Sequence, residues 1–352
     1  MQGSGILPSG FRATQTENPN LKWETTIQYN AGIDFALFRN ELYGTADIYL
    51  KKVKDMLIQP AYLASLGEGG ASWSNGPSLQ NWGMEFTVGY RHTTAYGFGY
   101  NINGNLDFFR NRVTYLPETT TGSYAHTTTE NLVEARVPYG SIVGYVVDGL
   151  YQSREEVLAC GQENARVGGL KYADLNGDGR VTADDQTWIY NPVPNFSWGL
   201  NVALNYKDFD LSMFFQGVCG VDIYNNQKFQ TDFYSITDAG SNKGNRMLQA
   251  WTEDNKDSLI PALTTNNNGD EGRASTYYVE HGSWLKLRSL QLGYNMPEKL
   301  LKKVNMTSAR FYVSGQNLFT LKSDGFTVSD PENPNWAYPH ATSVSFGLQL
   351  GF

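Results

Sequence analysis

Asn195-Phe-Ser-Trp-Gly-Leu-Asn-Val-Ala-Leu-Asn-Tyr206 alternates apolar and polar residues with period two along its length. Phe196, Trp198, Leu200, Val202, Leu204 and Tyr206 share one face, and Asn195, Ser197, Gly199, Asn201, Ala203 and Asn205 share the other. A β-strand sends successive side chains to opposite faces, so this is a strand with one apolar and one amide-rich face. The same pattern fills Ser343–Phe352, Asn81–Arg91, Gly97–Phe108 and Thr26–Leu37. These runs are ten to twelve residues long. A tilted membrane-crossing strand needs about 9–11 residues, whereas strands of soluble proteins cluster near about 5–6. Polar faces of Asn, Gln, Ser and Gly suit a water-filled or plugged lumen.

Four weaker segments complete a set of nine strands. Leu42–Lys51 and Phe209–Gln216 alternate fairly, and Arg310–Thr320 loses its phase past Gly315. In Trp284–Tyr294 the apolar phase shifts from Leu285 and Leu287 to Leu290, Leu292 and Tyr294. One extra residue in a strand does this, so a bulge is expected near Arg288-Ser289, with Lys286 and Arg288 on the polar side.

The connections alternate between short and long. Arg39–Glu41, Thr93–Tyr96 and Lys207-Asp208 are tight turns, while residues 60–80, 114–194, 218–283 and 322–342 are long. Met296–Ser308 is the exception on the short side, with Pro297–Lys303 set up for a brief helix. Transmembrane β-barrels have this asymmetry, with short periplasmic turns and long extracellular loops. The expected fold is therefore all-β, an antiparallel transmembrane β-barrel portion. Nine strands do not close a bacterial barrel, whose counts are even. The chain thus reads as part of a larger barrel, with residues 1–22 the remnant of an extracellular loop, residues 23–352 the barrel part, and Met1 an internal methionine or truncated start.

Composition narrows the partners. Charged residues make up 18% of the chain, against about 25% in ordinary domains, and the place of charge is taken by 22 Tyr, 18 Phe, 8 Trp and 36 Gly. Lys plus Arg number 27 against 35 acids, for a net charge of −8 and no basic stripe, which argues against nucleic acid. The mean hydropathy of −0.43 does not count against a barrel, because alternating strands and polar loops cancel in an average. Met1–Pro8 has neither the basic nor the apolar region of a signal peptide. Cys160 and Cys219 form no CxxC, and read as two structural thiols or one non-essential bridge.

One motif carries metal chemistry. Asp174-Leu-Asn-Gly-Asp-Gly-Arg-Val-Thr-Ala-Asp-Asp185 follows the spacing of a calcium loop. Asp174, Asn176 and Asp178 stand at positions one, three and five, Gly179 provides the turn, Arg180 offers its carbonyl, and Asp185 closes the loop where glutamate is usual. A hard cation needs converging oxygens to replace its hydration shell. The shorter Asp185 makes a bidentate contact harder, so a weak structural Ca2+ bracing the loop 114–194 is the expectation. The bland alternative is a solvated Asx-rich turn.

No other constellation rises above its bland reading. His92, His126, His281 and His340 are scattered, GxSxG, HExxH and a Walker loop are absent, and Glu155-Glu156 and Asp254–Asp257 read as solvated loop charge. No enzyme is expected. Aromatics in the long loops (Trp73, Tyr139, Tyr145, Tyr151, Trp188, Tyr190, Trp251, Trp336, Tyr338) are candidates for stacking on cargo. More often such residues pack a loop against its own neighbours.

Several blocks, in order, resemble one family. Asn18-Pro-Asn-Leu-Lys-Trp-Glu-Thr-Thr26, Gly144–Gln152, Leu170–Gly179, Phe209–Gly217, Tyr278–Pro297, Ser314–Thr320 and the strand ending in Phe352 are similar to SusC/RagA-type TonB-dependent outer-membrane transporters of Bacteroidetes. The resemblance implies a barrel of about 22 strands with a plugged lumen, importing glycan oligosaccharides or peptides. It implies a SusD-like surface lipoprotein over the extracellular mouth, drive from TonB–ExbB–ExbD acting through a plug, outer-membrane lipid around the barrel, and Phe352 as the terminal aromatic assembly signal. The plug, TonB box and upstream strands are absent from this sequence. The competing expectation is a secreted soluble β-sandwich that binds carbohydrate, with the calcium loop as a brace.

Overall fold

The computed structural model describes residues 17–59, 72–115, 117, 138–233, 242–264, 271–334 and 338–352. His126, Trp336, residues 1–16 and parts of the expected long loops lie outside the described residues. The chain divides into two units. The first comprises Met1–Tyr29, Leu50–Asn81 and Asn111–Tyr139, and the second Asn30–Tyr49, Trp82–Arg110 and Gly140–Phe352. In the first unit the short strand Leu57–Ile58 pairs with Ser74–Asn75. The Asn75 amide there accepts from the Lys22 N–H and donates to the Lys22 carbonyl, both at 2.8 Å, tying the segment that opens the first strand.

Nine strands run in sequence order as one sheet: β1 (Thr25–Leu37), β2 (Leu42–Lys54), β3 (Ser78–Thr93), β4 (Phe98–Tyr115), β5 (Phe196–Tyr206), β6 (Phe209–Cys219), β7 (Trp284–Asn295), β8 (Ser308–Lys322) and β9 (Ser343–Gly351). From β4 to β9 every pairing is antiparallel. Lys207, at φ +53°, closes the two-residue β5–β6 turn, and Gly97, at φ +78°, closes the β3–β4 turn, a backbone conformation that suits glycine. The expected brief helix forms at Glu298–Leu301. Among the described residues no helix is long and apolar enough to cross a membrane.

Several strands outrun their expected ends, whereas β5 and β9 each fall one residue short of them. β3 has 16 residues and β4 has 18. Period-two hydropathy marks only the stretch where one face is apolar, whereas ladder hydrogen bonds continue after both faces are wet, as from Arg110 to Arg112. The expected bulge is present: the β7–β8 register shifts between Leu287 and Ser289, and the β6–β7 register shifts at the same height.

The sheet has no second sheet of comparable size packed on it, because the remaining sheets among the described residues are two-stranded ribbons. A sandwich buries one period-two face of each sheet. Here Trp198, Leu200 and Val202 are only half-buried, while Ile33 is 71% and Phe346 81% exposed. The sandwich expectation is therefore corrected. The hydrophobic core sits instead in the long loops, around Tyr145, Leu150, Leu170, Tyr172, Phe233, Trp251 and Tyr278. Backbone bonds stitch those loops together, with the Tyr145 N–H donating to the Ala274 carbonyl at 2.9 Å and the Ala262 N–H to the Gly168 carbonyl at 2.8 Å. Cys160 and Cys219 are both free thiols.

Candidate functional site

The apolar face is organised into rows. Phe98 pairs with Tyr206, Tyr206 with Phe209, Phe209 with Tyr294, and Tyr294 with Phe311, so five adjacent strands carry an aromatic residue at one level. Ring centroids are 6.3 Å apart for Phe98–Tyr206 and 4.9 Å for Phe209–Tyr294. A second row runs through Phe86, Phe108 and Phe196, with centroids 6.3 and 5.9 Å apart. On β5 ten residues separate Phe196 from Tyr206. At about 3.3 Å per residue and the usual barrel tilt, the rows lie about 25 Å apart along the normal. That is the height of the apolar band between the aromatic girdles of an outer-membrane barrel. Tyr206 and Tyr294 in the first row suit such a boundary, because their rings have one apolar and one wet end, while the Phe rings of both rows add apolar area beside it.

The polar face carries a charge cluster near the start of β7. Lys286 is 1% exposed, and its ammonium donates to Asp330 Oδ1 and Glu332 Oε2, each at 2.6 Å. Arg288, turned inward by the bulge, donates to the other Glu332 oxygen and, at 2.7 Å, to Gln216 Oε1. His340 stands 2.8 Å from Asp330 Oδ2, and its own N–H donates to that oxygen at 2.9 Å. Burial pushes the Asp330 carboxyl up, but Lys286 and the N–H groups of His340 and Glu332 outweigh it and hold the group well below the usual carboxylate range. Glu332 is also held low, with Lys286 and Arg288 outweighing its burial. Asp330, Glu332 and His340 bring their ligand atoms within 4.8 Å of one another. Two cations already neutralise the two carboxylates, so the arrangement is a closed ion cluster and a divalent ion there would meet Lys286 and Arg288 as like charges.

The calcium-pattern loop folds on its own backbone. Asp174 accepts from Gly177 and Gly179 N–H at 2.7 and 2.8 Å, Asn176 Oδ1 from Asp178 N–H at 2.8 Å, and Asp178 Oδ1 from Arg180 N–H at 2.8 Å. Gly177 and Gly179 have φ of +77° and +81°, which the turn requires. Asp185 is fully buried and accepts from Leu175, Asn176 and Thr182 N–H at 2.9, 3.3 and 2.8 Å. Burial works to raise its pKa, and these donors outweigh it and hold the carboxyl below the ordinary range. Among the described residues this loop does not gather three carboxylates within ligand distance of one another.

A profile of the family described as TonB dependent receptor-like, beta-barrel matches residues 1–187. The chain belongs to this family. It is similar to TonB-dependent receptor P3 of Formosa agariphila, at 32% identity over 98% of this chain and 36% of that receptor. It is also similar to TonB-dependent receptor SusC of Bacteroides thetaiotaomicron, at 26% identity over 95% of this chain and 32% of the relative. Among solved structures it shares its fold with the RagAB peptide transporter, with a TM-score of 0.75 and 24% identity over 96% of this chain and 36% of that one. The chain thus spans about a third of the length of the relatives it matches.

Within this receptor barrel, the long-loop aromatics divide. Tyr145, Tyr151 and Trp251 are buried, whereas Tyr139 is about half exposed and Tyr338 is 94% exposed. Glu155 and Glu156 occupy the first turn of the short helix Arg154–Ala159, where Glu156 N–H donates to the Ser153 side chain and Glu156 Oε2 accepts from Gln152 N–H. Phe352 follows the last strand and is 86% exposed. Asp330, Glu332 and the aromatic rows escaped the sequence reading. The phase slip at Arg288 pointed to inward cations but gave no sign of their partners. The rows become visible only once strand register is known.

Proposed function

We propose that this chain forms part of an outer-membrane active importer of large nutrients, supplying membrane wall and extracellular loops. In this reading residues 23–352 are barrel, residues 1–22 belong to an outer loop, and Phe352 is the terminal aromatic read during barrel assembly. The cargo is a glycan oligosaccharide or a peptide. A SusD-like surface lipoprotein covers the mouth, and TonB–ExbB–ExbD drives transport through a plug elsewhere in the protein. The observation that carries the reading is the pair of aromatic rows bounding a one-layer sheet whose apolar side stays open. Membership of the receptor-barrel family and the fold shared with a named peptide transporter support it. Cell fractionation tests it. The protein carrying this chain should partition with outer membranes, need detergent for extraction, migrate faster unheated than boiled, and co-purify with a surface lipoprotein. Recovery as a detergent-free monomer from the soluble fraction would refute the assignment.

We also propose a structural Ca2+ at Asp174, Asn176, Asp178, Arg180 and Asp185, weakly held. The loop already satisfies Asp174 and Asp185 with backbone N–H groups, so the ion would add modest rigidity. Calcium added to chelator-treated protein should slow proteolysis around residues 161–190. Identical cleavage with chelator and with calcium would remove the ion from the account.

A further inference from the structure

We propose that the described parts of the segment joining β8 to β9, residues 323–334 and 338–342, form a fixed strap fastened to the polar face of the sheet through Lys286, and not a lid that moves with cargo. The proposal goes beyond the importer reading and holds whichever cargo is carried.

Three attachments along the segment carry it. At its start, Thr327 donates its N–H to Glu280 Oε2 at 2.9 Å and its hydroxyl to Glu280 Oε1 at 2.5 Å, Asn225 donates to Thr327 Oγ1 at 2.9 Å, and Val328 has no exposed surface. Lys322 at the end of β8 donates to the Val328 carbonyl at 2.8 Å. In its middle, Asp330 and Glu332 hold Lys286 and Arg288. At its end, Asn317 donates to the Ala341 carbonyl at 3.2 Å, and Thr342 Oγ1 donates to the Asn317 carbonyl at 2.8 Å.

The middle attachment is electrostatically all-or-none. Lys286 pairs across the ladder with Gln216 and Thr320 on the polar face, and among the described residues both carboxylates that hold it come from the strap. Lifting the strap would strip the buried Lys286 and the half-buried Arg288 of their counter-ions, which is costly wherever water cannot fully replace them. The sheet is also shaped for this contact. The bulge turns Arg288 to the strap. Opposite it, Asn317 sits at φ +50°, an uncommon conformation for a residue with a side chain. A strand that departs from its ladder on both sides of one pair of neighbours, and uses both departures to bind the same segment, is built to hold it. Moving lids are instead drawn from weakly held segments with few buried contacts.

Hydrogen exchange on the full-length receptor in detergent tests the strap. The N–H groups of Thr327, Glu332 and His340 donate to Glu280 and Asp330, so they should exchange as slowly as the loop-core amides. They should do so at low and high salt alike, because a buried pair is little screened. Lys286→Met should speed their exchange by about a hundredfold or more, with the β7–β8 ladder unchanged. Adding Asp330→Asn to Lys286→Met should restore part of the protection by removing the carboxylate that has lost its lysine, while Glu332 keeps Arg288. Should Lys286→Met not assemble, Asp330→Asn carries the test with the same expected rise. Rapid exchange of these amides in the unaltered protein, or an unchanged strap in the variants, overturns the proposal.

Discussion

The nine-stranded sheet and the loop assembly above it use the same residue types in opposite ways. In the sheet, Tyr206, Phe209 and Phe346 stay open on one face. In the loops, Tyr145, Tyr172, Trp251 and Tyr278 are sealed into a core. A chain folding in water would bury both sets, because a large apolar side chain gains roughly 1.5–3 kcal/mol on burial. On the importer reading proposed above, the two regions face different solvents. The sheet would then find its apolar environment outside the protein, in lipid, and the loops, surrounded by water, would have to make their own. The Lys286 cluster belongs to the watery side of the same sheet, where charge is tolerated once it is paired.

The largest expected effect falls on the loops. Trp251 is 6% exposed and its indole N–H donates to Gln152 at 2.8 Å. Trp251→Ala should cost the loop assembly about 3–5 kcal/mol, seen as rapid proteolysis between residues 140 and 283 while heat-modifiable migration persists. Simultaneous loss of that migration would mean that loops and sheet are one cooperative core. On the sheet, neighbouring residues should differ sharply. Val202→Arg, on the apolar face near the middle of the band, should cost about 2–4 kcal/mol, measured by denaturant titration of the folded receptor in lipid. Asn201→Arg, one residue away on the polar face, should stay within about 0.5 kcal/mol. Equal costs would erase the distinction between the faces.

How much of this was legible depends on the range of the physics involved. Strands were readable because lipid on one side and water on the other impose a two-residue period that each segment carries by itself. The bulge was readable for the same reason, as a slip in that period at Arg288. Strand ends past the alternating stretch were not, since β4 continues through Asn111 to Tyr115 with polar cross-strand bonds, as from Asn111 to Asn81 and from Thr114 to the Ser78 carbonyl, that leave no two-residue period. The loop core and the strap were hidden because their contacts join residues far apart in sequence, as in Lys286 with Asp330 or Arg166 with Glu271. The calcium pattern was visible as spacing, and the structure shows the same oxygens serving backbone N–H groups.

The smallest expected effect is that of pH on the strap. Lys286 and His340 face Asp330, and Lys286, Arg288 and His340 face Glu332. The folded pKa values of Asp330 and Glu332 are depressed. Their contribution is therefore complete above the unfolded carboxylate values, near about pH 4, and is lost as pH falls through the depressed folded ones. Strap protection should be flat from about pH 8 to about pH 5. Loss of protection within that window would contradict the assignment of these carboxylates as its anchors.

The most direct measurement is solvent contact along one strand. Spin labels placed singly from Leu200 to Tyr206 in the lipid-reconstituted full-length receptor report access to dissolved oxygen, which concentrates in lipid, and to a water-soluble nickel chelate. The account predicts a two-residue alternation, with oxygen favoured at Leu200, Val202 and Leu204 and nickel at Asn201, Ala203 and Asn205. Labels at the apolar positions shielded from both reagents, or a profile without alternation, would contradict it.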